Sequence, residues 1–549
     1  MTRRGGGARR DRAKKPALHQ ARSGSAQRSG SAPGPGPSSR WTRWIAYALL
    51  GIFACYWGSK VFTEHRIGNY AVETDFYWKY GPAARDLLQG KVDIANYDSK
   101  GWGYPVAVAL VSILGVEPFQ AAQAIAILSA ILVGFLAYRI HRSLLGPAAA
   151  LCALLLLLSN ETFLANTYEV GTDMFFFAIV LGSIVLRLGK TRPNTLALLG
   201  SGLLGGWAFS TRYNGLFLWP GALVLLLTLR TVEGNARARI QSAAIWSGGF
   251  VAAALPWLLV NAVHTGNPLT NSNYVNVGYA VYGEGNWENF FYGGNRKITS
   301  FVDVVRLEPA RVVGVMAKNL VEHLRRDLSE LVPLLWGVLA VLGGLLMLRE
   351  HTGRRVAGFA VLWGLYFFTL VPVFYGTRFS LPLLAFYFLF AVWPFFSPTI
   401  GKPVRSLERS FPARVFVFLG LWLLTAVQAY QWTEDPQNGE QLRAGPYDIA
   451  PAISFLRGQA GDEGVIARKP HAAFLSKRPF ILLPRFDSPD SLHSVAVRDK
   501  ARYLLVSGAE LSMRPEMRSF ASGTDIAGFV RVFESPGALV YEVRPYASP

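Results

Sequence analysis

Cysteine and charge are both scarce in this sequence. Its 549 residues include only two cysteines, and charged residues make up 16% of the chain whereas hydrophobic residues make up 51%. Cys55 and Cys152 both fall within apolar runs, so the chain carries neither a disulfide framework nor a cysteine metal motif. A chain of this length with so little charge is typical of an integral membrane protein.

Ionisable residues are almost missing from the middles of the apolar runs. Ion-coupled transporters and proton pumps need such groups at membrane depth, where their cost makes them stand out. The polar residues of interest gather instead at the ends of the runs that face away from the cytoplasm. This distribution favours chemistry at the outer membrane interface. A lipid-carrier flippase or transporter and a non-catalytic membrane scaffold are the alternatives, because spanning helices alone fit all three classes.

The basic charge is concentrated at the N-terminus. Residues 1–40 hold eight arginines and two lysines against the single acid Asp11, within a chain of net charge +20. This segment is rich in Gly, Ser and Pro and cannot bury a core, so we expect a disordered tail. A basic tail beside a membrane suits the anionic cytoplasmic leaflet, and we expect no nucleic-acid partner.

Apolar runs long enough to suggest spanning helices begin near residues 44, 119, 147, 172, 195, 215, 241, 331, 356, 379 and 414. Clusters of Lys and Arg follow alternate runs, on the same side as the basic tail, which the positive-inside rule assigns to the cytoplasm. We therefore expect a mainly α, polytopic membrane helix bundle of about 11 spans, with its C-terminus outside the cytoplasm.

Three large segments then face outward. Residues 64–118 and 264–330 form long loops within the membrane part of the chain, 41–430, and the piece from Tyr104 to Gly115 suits an interfacial or re-entrant helix. Residues 431–549 change to the composition of a soluble domain, with short β-rich runs between helical stretches. They predict a small extracytoplasmic α/β domain.

Acidic residues at the outward ends of the runs are candidates for catalysis. Asp75 lies in the first outward loop beside aromatic residues, where it suits a general base; a solvated loop carboxylate is the alternative. Asp173, close to Glu169, begins the fourth run, where a carboxylate also favours a helix N-terminus. If Asp75 and Asp173 converge, they could share a divalent cation such as Mg²⁺ or Mn²⁺.

Two arginines depart from the positive-inside rule. Arg212 and Arg378 lie at outward turns, where a guanidinium can bind phosphate oxygens, although an arginine that only snorkels to the interface fits as well. Lys100, Tyr104 and His264 also lie in or beside the outward loops. They are candidates to line the substrate site, with structural roles as the alternative.

In these motifs the chain resembles the GT-C class of integral-membrane glycosyltransferases, in particular bacterial relatives of protein O-mannosyltransferases and of the lipid A aminoarabinose transferase. The resemblance covers roughly residues 41–430. It rests on an acidic first outward loop and on the order of five short motifs: Lys100–Pro105, Glu169–Met174, Gly205–Gly215, His264–Pro268 and Arg378–Pro382.

The resemblance implies transfer of a hexosyl or pentosyl group from a polyprenyl-phosphate carrier, with inversion, at a bacterial plasma membrane. By it, Asp75 is the general base toward the acceptor hydroxyl. Asp173, with Glu169, is a second acidic site that assists or holds a metal, and Arg378 binds the carrier phosphate. The sugar is left open, and the acceptor is a lipid, a glycan or a protein.

Overall fold

The computed structural model describes residues 37–188, 194–228, 235–292, 298–350, 353–400, 413–434 and 446–545. Most of the predicted tail, 1–36, lies outside these residues. The described chain is mainly helical and ends in a small five-stranded sheet, which confirms the fold class in outline.

The helices of the first half begin close to the predicted apolar runs. They are α1 (Pro37–Glu64), α2 (Gly81–Leu88), α3 (Gly103–Ser112), α4 (Pro118–Leu145), α5 (Pro147–Leu158), α6 (Glu161–Tyr168), α7 (Thr172–Leu188), α8 (Thr195–Thr211), α9 (Leu218–Leu223) and α10 (Ala236–Thr265). A π-helical turn, Phe76–Tyr80, precedes α2. The helix expected between Tyr104 and Gly115 is α3.

The described residues of 264–330, the second segment predicted to face outward, and the later apolar runs are largely helical as well. The helices are α11 (Asn273–Tyr282), α12 (Trp287–Tyr292), α13 (Phe301–Leu307), α14 (Pro309–Arg326), α15 (Leu334–Arg349), α16 (Arg354–Leu370), α17 (Thr377–Ser380), α18 (Leu384–Phe396) and α19 (Ala413–Glu434). A second π-helical turn, Asp327–Leu331, continues α14.

The predicted count of about 11 spans is not confirmed. Among the described residues, five helices are long and apolar enough to cross a membrane: Arg40–Glu64, Pro118–Leu145, Ala236–Thr265, Thr377–Ile400 and Arg414–Thr433. Counting the bent pairs α5–α6 (61°) and α14–α15 (119°) as one span each raises the number to seven. Several predicted runs form helices shorter than the roughly 20 residues that cross a bilayer; α7 and α8 have 17 residues each.

Two glycines allow α8 to pack closely against α10. A Cβ at Gly202 or Gly206 would clash with backbone oxygens of α10, at Trp246 and Phe250. Small residues four apart let two helix backbones approach closely, as membrane helices often do. The C-terminal end of α8, which leads into Arg212, is thereby held at a defined position.

The C-terminal domain is a mixed sheet with helices. Its strands are β1 (Gly464–Ala467), β2 (Phe480–Leu482), β3 (Ala501–Ser507), β4 (Phe529–Ser535) and β5 (Ala538–Val543), in the order β2-β1-β3-β5-β4. β1 runs parallel to β2 and β3, with Val465 opposite Tyr503, and the β3–β5 and β4–β5 pairs are antiparallel. Its helices are α20 (Ala450–Gly458), α21 (His471–Leu475), α22 (Pro489–Arg498) and α23 (Gly508–Met513).

Helix α21 docks the C-terminal domain onto residues 64–118, the first segment predicted to face outward. The ring of Phe474 contacts those of Phe76 and Tyr77, with centroids 5.8 and 5.4 Å away. His471 Nε2 pairs with the carbonyl of Asn69 at 3.1 Å. A side chain at Gly81 would collide with Phe474, so the glycine allows this contact. The domain therefore packs directly against the loop that carries Asp75.

Candidate active site

Two acids of residues 64–118, the first segment predicted to face outward, lie two residues apart in opposite environments. Glu73 is fully buried, and its carboxylate accepts hydrogen bonds from the backbone amides of Val170 and Asn69, both at 2.7 Å. The side chain of Asp75, just before the π-helical turn Phe76–Tyr80, is 47% exposed. The hydrogen bonds of Glu73 therefore stabilise the loop, whereas the carboxylate of Asp75 is open to a substrate.

Lys100 brings a cation to Asp75. Its Nζ lies 3.4 Å from Oδ2 of Asp75 and also donates a hydrogen bond to the hydroxyl of Tyr80. Desolvation lowers the pKa of Lys100 to about 8, against the opposing charge of Asp75. Desolvation acts to raise the pKa of Asp75, but the charges of Lys100 and Arg378 outweigh it and hold that pKa below its ordinary value. Asp75 is thus ionised at neutral pH, as a general base must be.

Glycine at position 101 allows this placement of Lys100. A Cβ at Gly101 would clash with the carbonyl group of Ser210, and one at Gly103 would clash with Thr211. Both contacts are with the C-terminal end of α8, so the backbone of the first segment lies directly on it. The glycines of the Lys100–Pro105 motif therefore explain how the first outward segment reaches the end of α8.

Arg212 and Asp173 form a buried ion pair. The guanidinium donates to the Asp173 carboxylate and, at 3.2 Å, to the hydroxyl of Thr172. Both charged side chains are at most 7% exposed. The pair joins the end of α8 to the start of α7, and its charges also act on Lys100. Arg212 thus lies within the cluster, with Asp173 as its partner.

Arg378 reaches the same cluster from α17. Its side chain is half-buried, and its charge lowers the pKa of both Asp75 and Glu169. The guanidinium carbon lies 5.0 Å from the ring centroid of Phe379. Across the described ranges, this guanidinium forms no hydrogen bond or ion pair. Its forked donors are therefore available to an anionic group such as phosphate.

Glu169 is the second acid whose protonation the site alters. Desolvation and the nearby charge of Glu73 raise its pKa to about 8, while a hydrogen bond from Asn69 Nδ2 (2.8 Å) and the charge of Arg378 oppose the shift. Asn69 also contacts Glu73 through its backbone amide. Glu169 therefore lies beside the loop that carries Asp75, where the charge of Arg378 acts on it.

Tyr104 and His264, the other residues predicted to line the substrate site, lie in different environments. Tyr104 is fully buried in α3, with its ring 5.5 Å from that of Tyr80, and burial raises its pKa. His264 is exposed at the end of α10, where its Nδ1 pairs with the carbonyl of Val260 at 2.8 Å. Tyr104 therefore packs beneath the cluster, and His264 contacts its own helix. A role for either in lining the substrate site stays a prediction.

The predicted metal pair does not fit this geometry. Asp173 is paired with Arg212 and Asp75 lies 3.4 Å from the Lys100 ammonium, so each carboxylate already has a protein cation as its partner. Among the described residues, no group of three or more His, Cys, Asp or Glu side chains is placed to hold a metal ion. We therefore derive no chemical step through a cation.

The C-terminal domain adds Lys469, which the sequence patterns did not suggest. Its Nζ donates to the carbonyl of Tyr70 at 2.6 Å and lies 3.4 Å from the hydroxyl of Thr74, the residue before Asp75. Burial and the charge of Arg468 lower its pKa to about 8. No local motif marks this residue, because it lies almost 400 positions along the chain from the loop it contacts.

Solved structures share this architecture. ArnT from Cupriavidus metallidurans bound to undecaprenyl phosphate matches with a TM-score of 0.56 at 13% identity, over 93% of this chain and 100% of that one. The archaeal oligosaccharyltransferase AglB from Archaeoglobus fulgidus, in complex with an inhibitory peptide and a dolichol-phosphate, matches with a TM-score of 0.53 at 12% identity, over 93% and 75%. Similarity at this identity shows a shared fold.

That fold is the GT-C fold of membrane glycosyltransferases, and the chain is a multi-pass membrane protein. More particularly, residues 103–260 match the profile of the family described as dolichyl-phosphate-mannose-protein mannosyltransferase. A sequence search of curated proteins finds no match. The predicted resemblance to GT-C glycosyltransferases is confirmed.

Proposed function

We propose that this protein is a glycosyltransferase that moves a sugar from a polyprenyl-phosphate carrier to an acceptor hydroxyl on the extracytoplasmic face of a bacterial plasma membrane. The observation that carries the proposal is the convergence of Asp75, Lys100 and Arg378 from three separate stretches of the chain. The exposed Asp75 carboxylate lies 3.4 Å from the Lys100 ammonium, and the charge of Arg378 acts on it. The match of residues 103–260 to a mannosyltransferase family supports the same reaction class.

The proposed reaction is a single displacement with inversion. The acceptor hydroxyl gives its proton to Asp75 while its oxygen forms a bond to the anomeric carbon of the sugar. The bond from that carbon to the phosphate oxygen breaks, and the polyprenyl phosphate leaves. Arg378 and Lys100 balance the negative charge that develops on the leaving phosphate, an interaction that a partly desolvated site strengthens.

Membrane topology is part of the proposal. The N-terminus is cytoplasmic, and the cluster and the C-terminal domain face outward, as the distribution of Lys and Arg predicts. Two relatives of the same fold were solved with a polyprenyl or dolichyl phosphate, which supports a lipid-borne donor. A donor with a long isoprenoid chain would enter from the bilayer and place its phosphate at the interface.

The test uses the purified full chain in lipid nanodiscs. A panel of undecaprenyl-phosphate donors with radiolabelled hexoses or pentoses is combined with envelope lipids, glycans or proteins, and the transferred label is counted. Asp75→Asn should reduce transfer by at least about 100-fold, the usual contribution of a general base. It should still bind undecaprenyl phosphate, because its cationic residues remain. Asp462→Asn removes an exposed carboxylate of the C-terminal domain and serves as the matched control.

The alternative classes give different results. A flippase would move the labelled carrier across the bilayer of a sealed vesicle, and a scaffold would bind without turnover. Neither should depend on Asp75 as a base. Transfer by Asp75→Asn at the rate of the unmodified protein would remove this residue from the active site. Failure of every donor to give Asp75-dependent transfer would overturn the proposed function.

A further inference from the structure

Three polar side chains on α14 and the turn that follows it lie at four-residue spacing: Asn319, His323 and Asp327. Residues four apart on a helix share one face. These three side chains face the turn 371–380, which follows α16 and includes the short helix α17 with Arg378.

The first two members bind the backbone of this turn. Asn319 Nδ2 donates to the carbonyl of Val371 at 3.0 Å and to that of Val373 at 3.2 Å. His323 Nε2 pairs with the carbonyl of Val373 at 3.1 Å, and its ring meets that of Tyr375 edge-on, with centroids 5.2 Å apart. These carbonyls follow the end of α16, where a helix leaves backbone acceptors without partners.

Asp327 lies beneath the other end of the turn and anchors it to α18. It is fully buried, and its Oδ2 accepts a hydrogen bond from the hydroxyl of Tyr387 at 3.0 Å. The side chains of Tyr375 and Ser380 lie beside the same carboxylate. A buried carboxylate is costly unless polar groups surround it, so Asp327 favours a conformation that keeps Tyr375 and Ser380, on either side of Arg378, close to it.

We propose that Asn319, His323 and Asp327 are positioning residues, which hold the turn 371–380 so that Arg378 can bind the phosphate of the lipid carrier. The inference rests on the proposed function, since it takes phosphate binding by Arg378 as given. It adds residues of the second outward segment to the donor site. These residues act through Arg378 and do not touch the substrate.

A double-mutant cycle tests the inference. The probe is undecaprenyl phosphate, titrated against the full chain in nanodiscs and measured by native mass spectrometry. Asn319→Leu should weaken binding about tenfold, which corresponds to about 1.4 kcal/mol. Lys318→Leu, an exposed position on the same helix, should leave the affinity unchanged. Arg378→Ala should weaken binding, and adding Asn319→Leu to it should cause no further loss, because coupled residues are not additive.

The outcomes separate this inference from the proposed function. If Arg378→Ala leaves the affinity for undecaprenyl phosphate unchanged, phosphate binding by Arg378 is wrong and the inference falls with it. If Arg378→Ala weakens binding but Asn319→Leu does not, or if the two losses add, only the inference is overturned. If Asn319→Leu fails to fold, His323 provides a second test. His323→Leu should bind undecaprenyl phosphate more weakly, and His323→Gln, which retains a side-chain donor, should bind it more tightly than His323→Leu does. Equal affinity of these two variants would also contradict the inference.

Discussion

Replacing Lys100 by methionine should move the acid limb of the kcat/KM profile upward by about one pH unit. The ammonium lies 3.4 Å from Oδ2 of Asp75. At this spacing two unit charges attract by about 1.2 kcal/mol in water and about 5 kcal/mol at an effective dielectric constant near 20. Because the Asp75 side chain is 47% exposed, screening favours the lower figure. That interaction is worth about one pKa unit, and its loss raises the pKa of Asp75.

Lys100 should also determine the basic limb of the kcat/KM profile. Lys100 has a pKa of about 8, so it loses its charge as the pH rises through that value, and the leaving phosphate then loses a counter-charge. Lys100→Met should lack this limb and show lower kcat/KM throughout. Lys100→Arg should move the limb beyond the assay range, because arginine stays protonated. Glu169 also has a pKa of about 8, but Glu169→Gln should retain the limb.

The assay is transfer from a labelled undecaprenyl-phosphate donor between about pH 3 and pH 9 at constant ionic strength, with kcat/KM reporting the free enzyme. Lys91→Met removes an exposed lysine from the same outward segment and should leave both limbs in place. An acid limb that stays fixed in Lys100→Met would refute the electrostatic coupling to Asp75. A basic limb that persists in that variant would refute the assignment to Lys100.

Two further predictions concern the packing that supports the site. Arg212→Met should destabilise the protein by about 3–5 kcal/mol, because it leaves the Asp173 carboxylate buried without its cation. In thermal unfolding, adding Asp173→Asn should recover part of this loss. An unchanged melting temperature in the single variant would contradict the pairing. Gly101→Ala should cost about 1–3 kcal/mol by overpacking against α8 and reduce transfer. Gly248→Ala, where nothing lies within 4 Å of an added Cβ, is its control, and equal stability of the two variants would argue against the close approach.

The sequence predicted the helical class and most helix positions because apolar runs depend on local composition. The predicted starts at 147, 172 and 195 coincide with the starts of α5, α7 and α8. The span count was less predictable, since breaks and bends within runs depend on packing. The 119° bend between α14 and α15 is one example.

The site was also predictable only in part, because the contacts of each side chain depend on tertiary packing. Spacing could point to Asp75, but it could not show that Glu73, two residues earlier, is buried and fully engaged. Nor could it show that Asp173 is paired with Arg212. The polar residues Asn319 and His323 did carry a signal, a four-residue spacing on an amphipathic helix, whose meaning depends on the turn they contact.

The docking of α21 on the first outward segment has a consequence for biosynthesis. Phe474 and Lys469 complete the surroundings of Asp75, yet they are synthesised almost 400 residues after it. During translation the early loop therefore lacks these contacts until the C-terminal domain has been synthesised and has folded. Contacts so distant along the chain form late. The proposed site is therefore incomplete until the C-terminal domain folds, and a chain truncated before that domain leaves the aromatic surface of the loop open to aggregation or proteolysis.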